Sequence, residues 1–342
     1  MAQAVSPKQR SKARELRRLM IDAGMGSHAA ISGWLRTGVV QLNGHLANTD
    51  SEVAPGDQLR IHGSHEYEVT RVPKTHRWTV TPRSPIPNKT IAGLRRVHCG
   101  QHKCLTMFSR AVLERVCTHQ YGPLRGFRHF FGRLDEFYRY AEGYPVSSVS
   151  GHRIDLDRFE DVRVTRFVRD PRDLVVSGYF YHRRKAEGWC GYVNPTQEEW
   201  ERVNGALPSA LPAGESLTSF LEQAPLEEGL RAEIDFRLHH FESLLAWPEA
   251  DPRVLTLRYE DIVGNESNAF GQVLRHFEMP LSTRLLGRWQ AFQSRASKSK
   301  RHNRHIRDPH AGQWRQHFTP QLAREFNARY ADLLKLYGYP LA

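Results

Sequence analysis

Nowhere in its 342 residues does the chain run through the roughly 18 uninterrupted apolar residues that a membrane span requires. Its first stretch, MAQAVSPKQRSKARELRR, lacks the apolar centre of a secretory signal. These two absences predict a cytoplasmic protein with no membrane partner. Cysteine is scarce, and Cys99, Cys104, Cys117 and Cys190 are too few for a disulfide framework in a chain this long. Acidic residues are outnumbered, 37 against 49 Lys plus Arg, for a net charge of +12. That deficit points to polyanionic partners: nucleic acid, phosphorylated cofactors or sulfated glycans. With 39% hydrophobic and 25% charged residues, what is present reads as an ordinary globular protein of about two domains.

Three segments differ in character. In residues 10–63 a basic helical run (11–22) stops at Gly24, and a second helical run passes through Trp34 and Leu35. Alternating Val40 and Leu42 then meet the Asn43-Gly44 dipeptide, a strong hairpin signal, and Pro55-Gly56-Asp57 makes a further turn before Leu59 and Ile61. Residues 64–90 carry Pro73, Pro82, Pro85 and Pro87, and from Arg71 to Arg96 there are seven basic residues and no acid. This stretch reads as a basic linker with one strand around Trp78-Thr79-Val80. From residue 91 to 342 strand and helix alternate: strands at 94–97, 162–168 and 254–257, helices at 105–117, 172–185 and 269–277. Such alternation predicts an α/β domain, a parallel sheet with helices on both faces. Ligands bind such sheets at the carboxyl ends of the strands, so the chemistry belongs in the loops that follow them.

The hairpin half of the first segment, Gly38-Val-Val-Gln-Leu-Asn-Gly44 with Pro55-Gly-Asp57, resembles the S-four RNA-binding domain, a small α+β fold. The resemblance implies that basic side chains on the first helix, Arg14, Arg17 and Arg18, meet the phosphates of structured RNA. The sequence departs from the family in reading Glu15-Leu-Arg17 and Ser27-His28 where Arg-x-Asp and Ser-Arg are usual. Loss of RNA affinity is the alternative.

The most specific segment is Arg166-Phe-Val-Arg169-Asp-Pro-Arg-Asp-Leu-Val-Val-Ser177-Gly-Tyr, a strand, a sharp proline turn and a helix. A guanidinium fork and a hydroxyl near a helix start can together hold a terminal phosphate. Simple pairing of Arg169 with Asp170 or Asp173 is the competing reading. The segment closely resembles the 3′-phosphate motif of sulfotransferases, in which an arginine and a serine eight positions later bind the donor, 3′-phosphoadenosine-5′-phosphosulfate (PAPS).

A second loop, Val97-His-Cys-Gly-Gln-His-Lys103-Cys-Leu-Thr106-Met-Phe108, joins a strand to a helix and lacks the G-x-x-x-x-G-K-[ST] spacing of a nucleoside triphosphatase. It resembles the family's phosphosulfate loop. Lys103 matches the lysine, Thr106 the first threonine and Phe108 the aromatic beside adenine; Cys104, Leu105 and Met107 depart from the pattern. His98, Cys99, His102 and Cys104 also crowd here, but no C-x-x-C or second cluster completes a metal site, and no metal is expected.

The stretch Val149-Ser150-Gly151-His152 lies where cytosolic sulfotransferases carry their general base. An imidazole titrating near neutrality suits that task, which makes His152 the candidate base, with His129, Glu142 and Asp155 as alternatives. Tyr259, in Arg258-Tyr259-Glu260-Asp261, resembles the tyrosine near the adenine. Arg307 and Gly312 match the C-terminal donor-binding motif, within a run of six basic residues and no acid from Arg295 to Arg307.

Together these resemblances imply a P-loop-like sulfotransferase fold and sulfuryl transfer from PAPS to a hydroxyl or amine of unidentified acceptor. Lys103 and His152 are the catalytic residues so implied. Thr106, Phe108, Arg169, Ser177, Tyr259, Arg307 and Gly312 join Lys103 in holding the donor. Two alternatives stay open. One is a P-loop kinase, against which stands the absent Gly-Lys-Ser/Thr; the other is an RNA-binding protein whose sulfotransferase-like domain is inactive.

Overall fold

The computed structural model describes residues 14–23, 25, 28–62, 65–72, 77–83, 90–122, 126–131, 134–248, 250–295 and 310–341. The chain divides into two compact units: Met1–Asn88 with Asp135–Tyr140, and Lys89–Leu134 with Ala141–Ala342.

The first unit runs β1 (Arg14–Glu15), α1 (Leu16–Asp22), α2 (His28–Arg36), β2 (Val40–Leu42), β3 (His45–Leu46), β4 (Glu52–Val53), β5 (Gln58–Ile61), β6 (His65–Arg71) and β7 (Trp78–Pro82). Five of the strands form an antiparallel sheet in the order β3-β2-β5-β6-β7, and β1 pairs with β4. Asn43 and Gly44 both take positive φ, 51° and 85°, matching the twist of a two-residue hairpin. The Asn43 amide fixes the turn by donating to Asp57 at 2.9 Å and accepting the Gln58 N–H at 2.8 Å.

Two sequence expectations need correction here. Residues 64–90 are not a linker with one strand, because β6 and β7 pair antiparallel through Val69 and Val80 as part of the sheet. The period-two pattern of buried His65, Tyr67 and Val69 against more open Glu66, Glu68 and Thr70 drives β6 inward, and Pro82 is tolerated at the end of the outermost strand. Nor does the first helix cover 11–22. It starts at Leu16, so Arg14 lies in β1 with its guanidinium over the Trp78 ring at 5.1 Å; Gly24, Ser27 and residues 11–13 lie outside the described residues. Arg17 pairs with Glu15 at 2.7 Å and Arg18 with Asp22 at 3.1 Å. All three candidate RNA-contacting arginines therefore have partners within the chain.

The second unit is built on β8 (Ile91–Gly100), β9 (Phe127–Phe130), β10 (Val146–Ser150), β11 (Phe159–Val168) and β12 (Val254–Arg258). All four pairings are parallel, in the order β12-β11-β8-β10-β9. Helices flank the sheet, among them α3 (Thr106–Tyr121), α4 (Pro171–Arg183), α5 (Leu226–Phe236), α6 (Leu238–Leu245), α7 (Glu266–His276) and α8 (Leu281–Gln293). The expected strands and helices are present, β8 and β11 each ten residues long. Val112 and Val116 of α3, Phe167 of β11, Val175 of α4 and Phe270 of α7 share one buried cluster. Among the described residues no helix is long and apolar enough to cross a membrane.

Candidate functional site

The carboxyl ends of β8, β10 and β11 lie side by side, so the loops after Gly100, Ser150 and Val168 meet there. After β8 the chain turns through Lys103 and Leu105 with φ of 69° and 57° before α3 begins at Thr106. Leu105 adopts a left-handed conformation, a strained choice for a bulky side chain. It supplies no side-chain cap, so the first N–H groups of α3 are not capped by the residue that precedes the helix. Thr106 Oγ1 donates to the Gln101 carbonyl at 2.8 Å and Ser109 Oγ to the Thr106 carbonyl at 3.1 Å, which stiffens the loop.

Lys103 is half-buried, with Nζ 3.4 Å from the centre of the Tyr181 ring. Burial brings its pKa down to about 7, with Glu187 pulling the other way. Phe108 packs edge-to-face on Phe270 at 5.3 Å, at the margin of the core.

After β11, Asp170 caps α4 by accepting the Arg172 N–H at 3.0 Å, and Pro171 opens the helix. Asp170 is bound by Arg172 at 2.8 Å, not by Arg169. Arg169 is 4% exposed; its nearest carboxylate, Asp173, stands 3.7 Å away, and the Lys103 and His310 carbonyls are each at 3.5 Å. Its Nε has no partner among the described residues, and the guanidinium lies over the Tyr259 ring at 4.2 Å. A buried cation whose contacts are all long has capacity to take a further anionic partner. Ser177 is half-buried on α4, and its hydroxyl makes no hydrogen bond among the described residues. Asp173 instead binds the C-terminal segment, accepting the N–H of Gly312 at 2.6 Å and of Trp314 at 2.9 Å. Arg307 lies outside the described residues.

His152 follows β10, and Gly151 N–H donates to the Gly100 carbonyl at 2.8 Å, so the His152 and Lys103 loops leave adjacent strands. His152 Nε2 lies 3.3 Å from the Arg202 carbonyl. Together with Gln101, Arg166, His240 and Trp247 it lines a small cavity.

Of the alternative bases, His129 sits inside β9 with Nδ1 2.6 Å from Ser148 Oγ, and burial, then Arg110 and His98, push its pKa well below the ordinary histidine range. Glu142 precedes β10 and Asp155 caps the turn that feeds β11, which puts both on the way to the amino ends of strands. Sequence reasoning missed Tyr181 and His240. The last is 2% exposed with neither ring nitrogen bonded among the described residues, and it carried no signal beyond its place in a helix. Among the described residues His98, Cys99, His102 and Cys104 do not bring their ligand atoms together; His98 Nδ1 is 3.1 Å from Thr165 Oγ1 in the sheet interior.

Residues 158–338, more than half of the chain, match the family model described as a sulfotransferase domain. The chain belongs to the sulfotransferase domain family. Arg169, Ser177, Tyr259 and Gly312 fall inside the matched stretch of this sulfotransferase; Lys103, Thr106, Phe108 and His152 precede it. Among solved structures, the chain is similar to mouse sulfotransferase SULT7A1 complexed with PAP, at 14% identity over 80% of this chain and 99% of that one, with a TM-score of 0.46. It is also similar to retinol dehydratase in a complex with retinol and PAP, at 14% identity over 80% of this chain and 91% of that one, TM-score 0.42. No curated protein matches the sulfotransferase chain.

Proposed function

We propose that the protein moves a sulfuryl group from PAPS to a hydroxyl or amine acceptor and releases adenosine 3′,5′-bisphosphate. One observation carries the reading: the buried, loosely paired guanidinium of Arg169 lies 3.5 Å from the carbonyl of Lys103, so two anion-seeking loops converge. Arg169, Ser177 and Arg307 would hold the 3′-phosphate, with Gly312 beside them in the donor site. Phe108 and Tyr259 would flank the adenine, while Lys103, Thr106 and the start of α3 would face the phosphosulfate.

The reaction is an in-line displacement. The acceptor oxygen or nitrogen forms a bond to sulfur as the bond from sulfur to the 5′-phosphate oxygen breaks. Charge grows on that leaving oxygen, where the Lys103 ammonium opposes it, and the acceptor proton passes to His152. A His152 Nε2–H donated to the Arg202 carbonyl puts the accepting lone pair on Nδ1. By analogy with phosphoryl transfer, the acceleration comes from positioning and fixed charge.

Calorimetry tests the reading: adenosine 3′,5′-bisphosphate should bind far more tightly than AMP, and equal affinities would remove its basis. Structured RNA as a partner of the first unit rests on that unit's basic residues alone. Gel shifts of the full chain and of its Arg14→Glu, Arg17→Glu, Arg18→Glu triple variant at two salt concentrations test it, and equal retention by both would end the idea.

A further inference from the structure

Sulfuryl transfer leaves a second cluster of side chains, beside Lys103, without a task. We propose that His102, His182 and Glu187 form a binding site for one divalent transition-metal ion of the Zn²⁺ class. One ligand atom from each residue lies within 4.8 Å of the other two. His102 Nε2 and Glu187 Oε2 are 3.5 Å apart. Bonds of about 2.0–2.1 Å to a tetrahedral ion put ligand atoms about 3.4 Å apart, so this edge is already formed. The remaining edges need to shorten by no more than about 1.4 Å to reach the same tetrahedral spacing.

The three side chains are oriented from behind. His182 is fully buried, and its Nδ1 donates to Glu233 Oε2 at 2.7 Å. That bond leaves the lone pair on Nε2, which is buried and has no hydrogen-bond partner among the described residues. Carboxylate, histidine and ion in series is the usual support of a metal-binding imidazole. Glu233 is in turn held by Arg237 Nε at 2.8 Å. Glu187 Oε2 accepts the Trp189 indole N–H at 2.7 Å.

His102 supplies the movable ligand. Neither of its ring nitrogens has a hydrogen-bond partner among the described residues. Its ring lies nearly parallel to that of His182, 6° apart in plane and 5.2 Å between centres, so capture of an ion turns the His102 ring about its Cβ–Cγ bond. The His102 and Glu187 side chains are 18% and 15% exposed, and His182 is fully buried beneath them. Two imidazoles and one carboxylate make a Zn²⁺-type donor set with a fourth position left for water. An ion here would tie the loop after β8 to the end of α4, whatever reaction the neighbouring site performs.

The test is titration of the tag-free full-length protein with Co²⁺, followed by displacement with Zn²⁺. The expected result is one tight equivalent showing the strong visible bands of four-coordinate Co²⁺, bleached by Zn²⁺. Both His102→Ala and Glu187→Gln, at half-buried positions chosen so that the fold survives, should lose those bands. Glu233→Gln should weaken Co²⁺ affinity by about 10–100-fold. Absence of four-coordinate bands in the parent protein overturns the proposal. So does their persistence in both His102→Ala and Glu187→Gln, because the ion would then reside on other histidines.

Discussion

The Asp173 carboxylate accepts two backbone N–H groups at once, Gly312 at 2.6 Å and Trp314 at 2.9 Å, and so joins the start of α4 to the C-terminal segment. Removing it should orphan both donors and leave the buried Arg169 without its nearest carboxylate. Asp173→Ala is therefore expected to destabilise the fold by about 2–4 kcal/mol in urea denaturation. Asp173→Asn keeps one acceptor oxygen and should lose less. An asparagine variant that is no better than alanine would count against this account.

Arg169 should govern recognition of the 3′-phosphate. Arg169→Ala is expected to weaken adenosine 3′,5′-bisphosphate binding by about 10–100-fold, the loss of a charged hydrogen-bonding pair, with little change for AMP. Calorimetry with both nucleotides checks it. A parallel loss for AMP would mean that the guanidinium supports the fold rather than reading the phosphate.

Lys103 and His152 should separate kinetically. Lys103→Ala is expected to depress turnover and also to weaken the donor complex. His152→Ala should cut kcat by about 10²–10⁴ while donor affinity stays nearly constant. Full activity of His152→Ala on the true acceptor would move the base elsewhere.

The Tyr181 ring beneath Lys103 should act as a platform for the ammonium. Tyr181→Phe keeps the ring and is expected to bind donor normally. Tyr181→Leu gives up a contact of about 0.5–2 kcal/mol and should weaken donor binding several-fold. Indistinguishable phenylalanine and leucine variants would deny the ring that role.

Acid should destabilise the protein through His98. Burial lowers its pKa to about 3, below the ordinary 6.5 of the unfolded chain. Between these values the unfolded state takes up a proton that the folded state refuses, so stability falls as pH drops through that window. The slope is up to about 1.4 kcal/mol per pH unit from this one group. Above about pH 6.5 the term vanishes. Urea midpoints of the parent and His98→Gln at several pH values between about 4 and 7 should diverge in slope; parallel curves would discount His98.

The legible parts of the molecule were those where local pattern and tertiary outcome agree. Arg169-Asp-Pro-Arg-Asp announced a strand end, a sharp proline turn and a helix start, and all three are there. Asn43-Gly44 announced its hairpin because only residues tolerant of positive φ fit that turn. Strand β6 was missed because prolines on its C-terminal side outweighed the alternation of His65, Tyr67 and Val69. The cluster of His102, His182, Glu187 and Glu233 was invisible for a different reason. Its members come from a loop, two helices and a turn, and no spacing rule links residues that meet only after the sheet has formed. Tyr181 carried no signal of its own in the sequence, because its contact with Lys103 joins a helix to a loop that meet only in the fold.

Six residues after β9, Asp135–Tyr140, belong to the first unit, and Tyr67 donates a 2.6 Å hydrogen bond to Glu136 within it. Ribosomal synthesis delivers these residues about fifty positions after the rest of that unit. The N-terminal unit therefore cannot be complete when its own continuous stretch has left the exit tunnel; it must wait for part of the sheet domain to be made. A proteolytic or recombinant fragment ending at residue 88 would lose the Tyr67–Glu136 hydrogen bond and the contacts of the Tyr140 ring with His65 and Tyr67. Domain dissection of this enzyme is thus a question of three cut sites, not one.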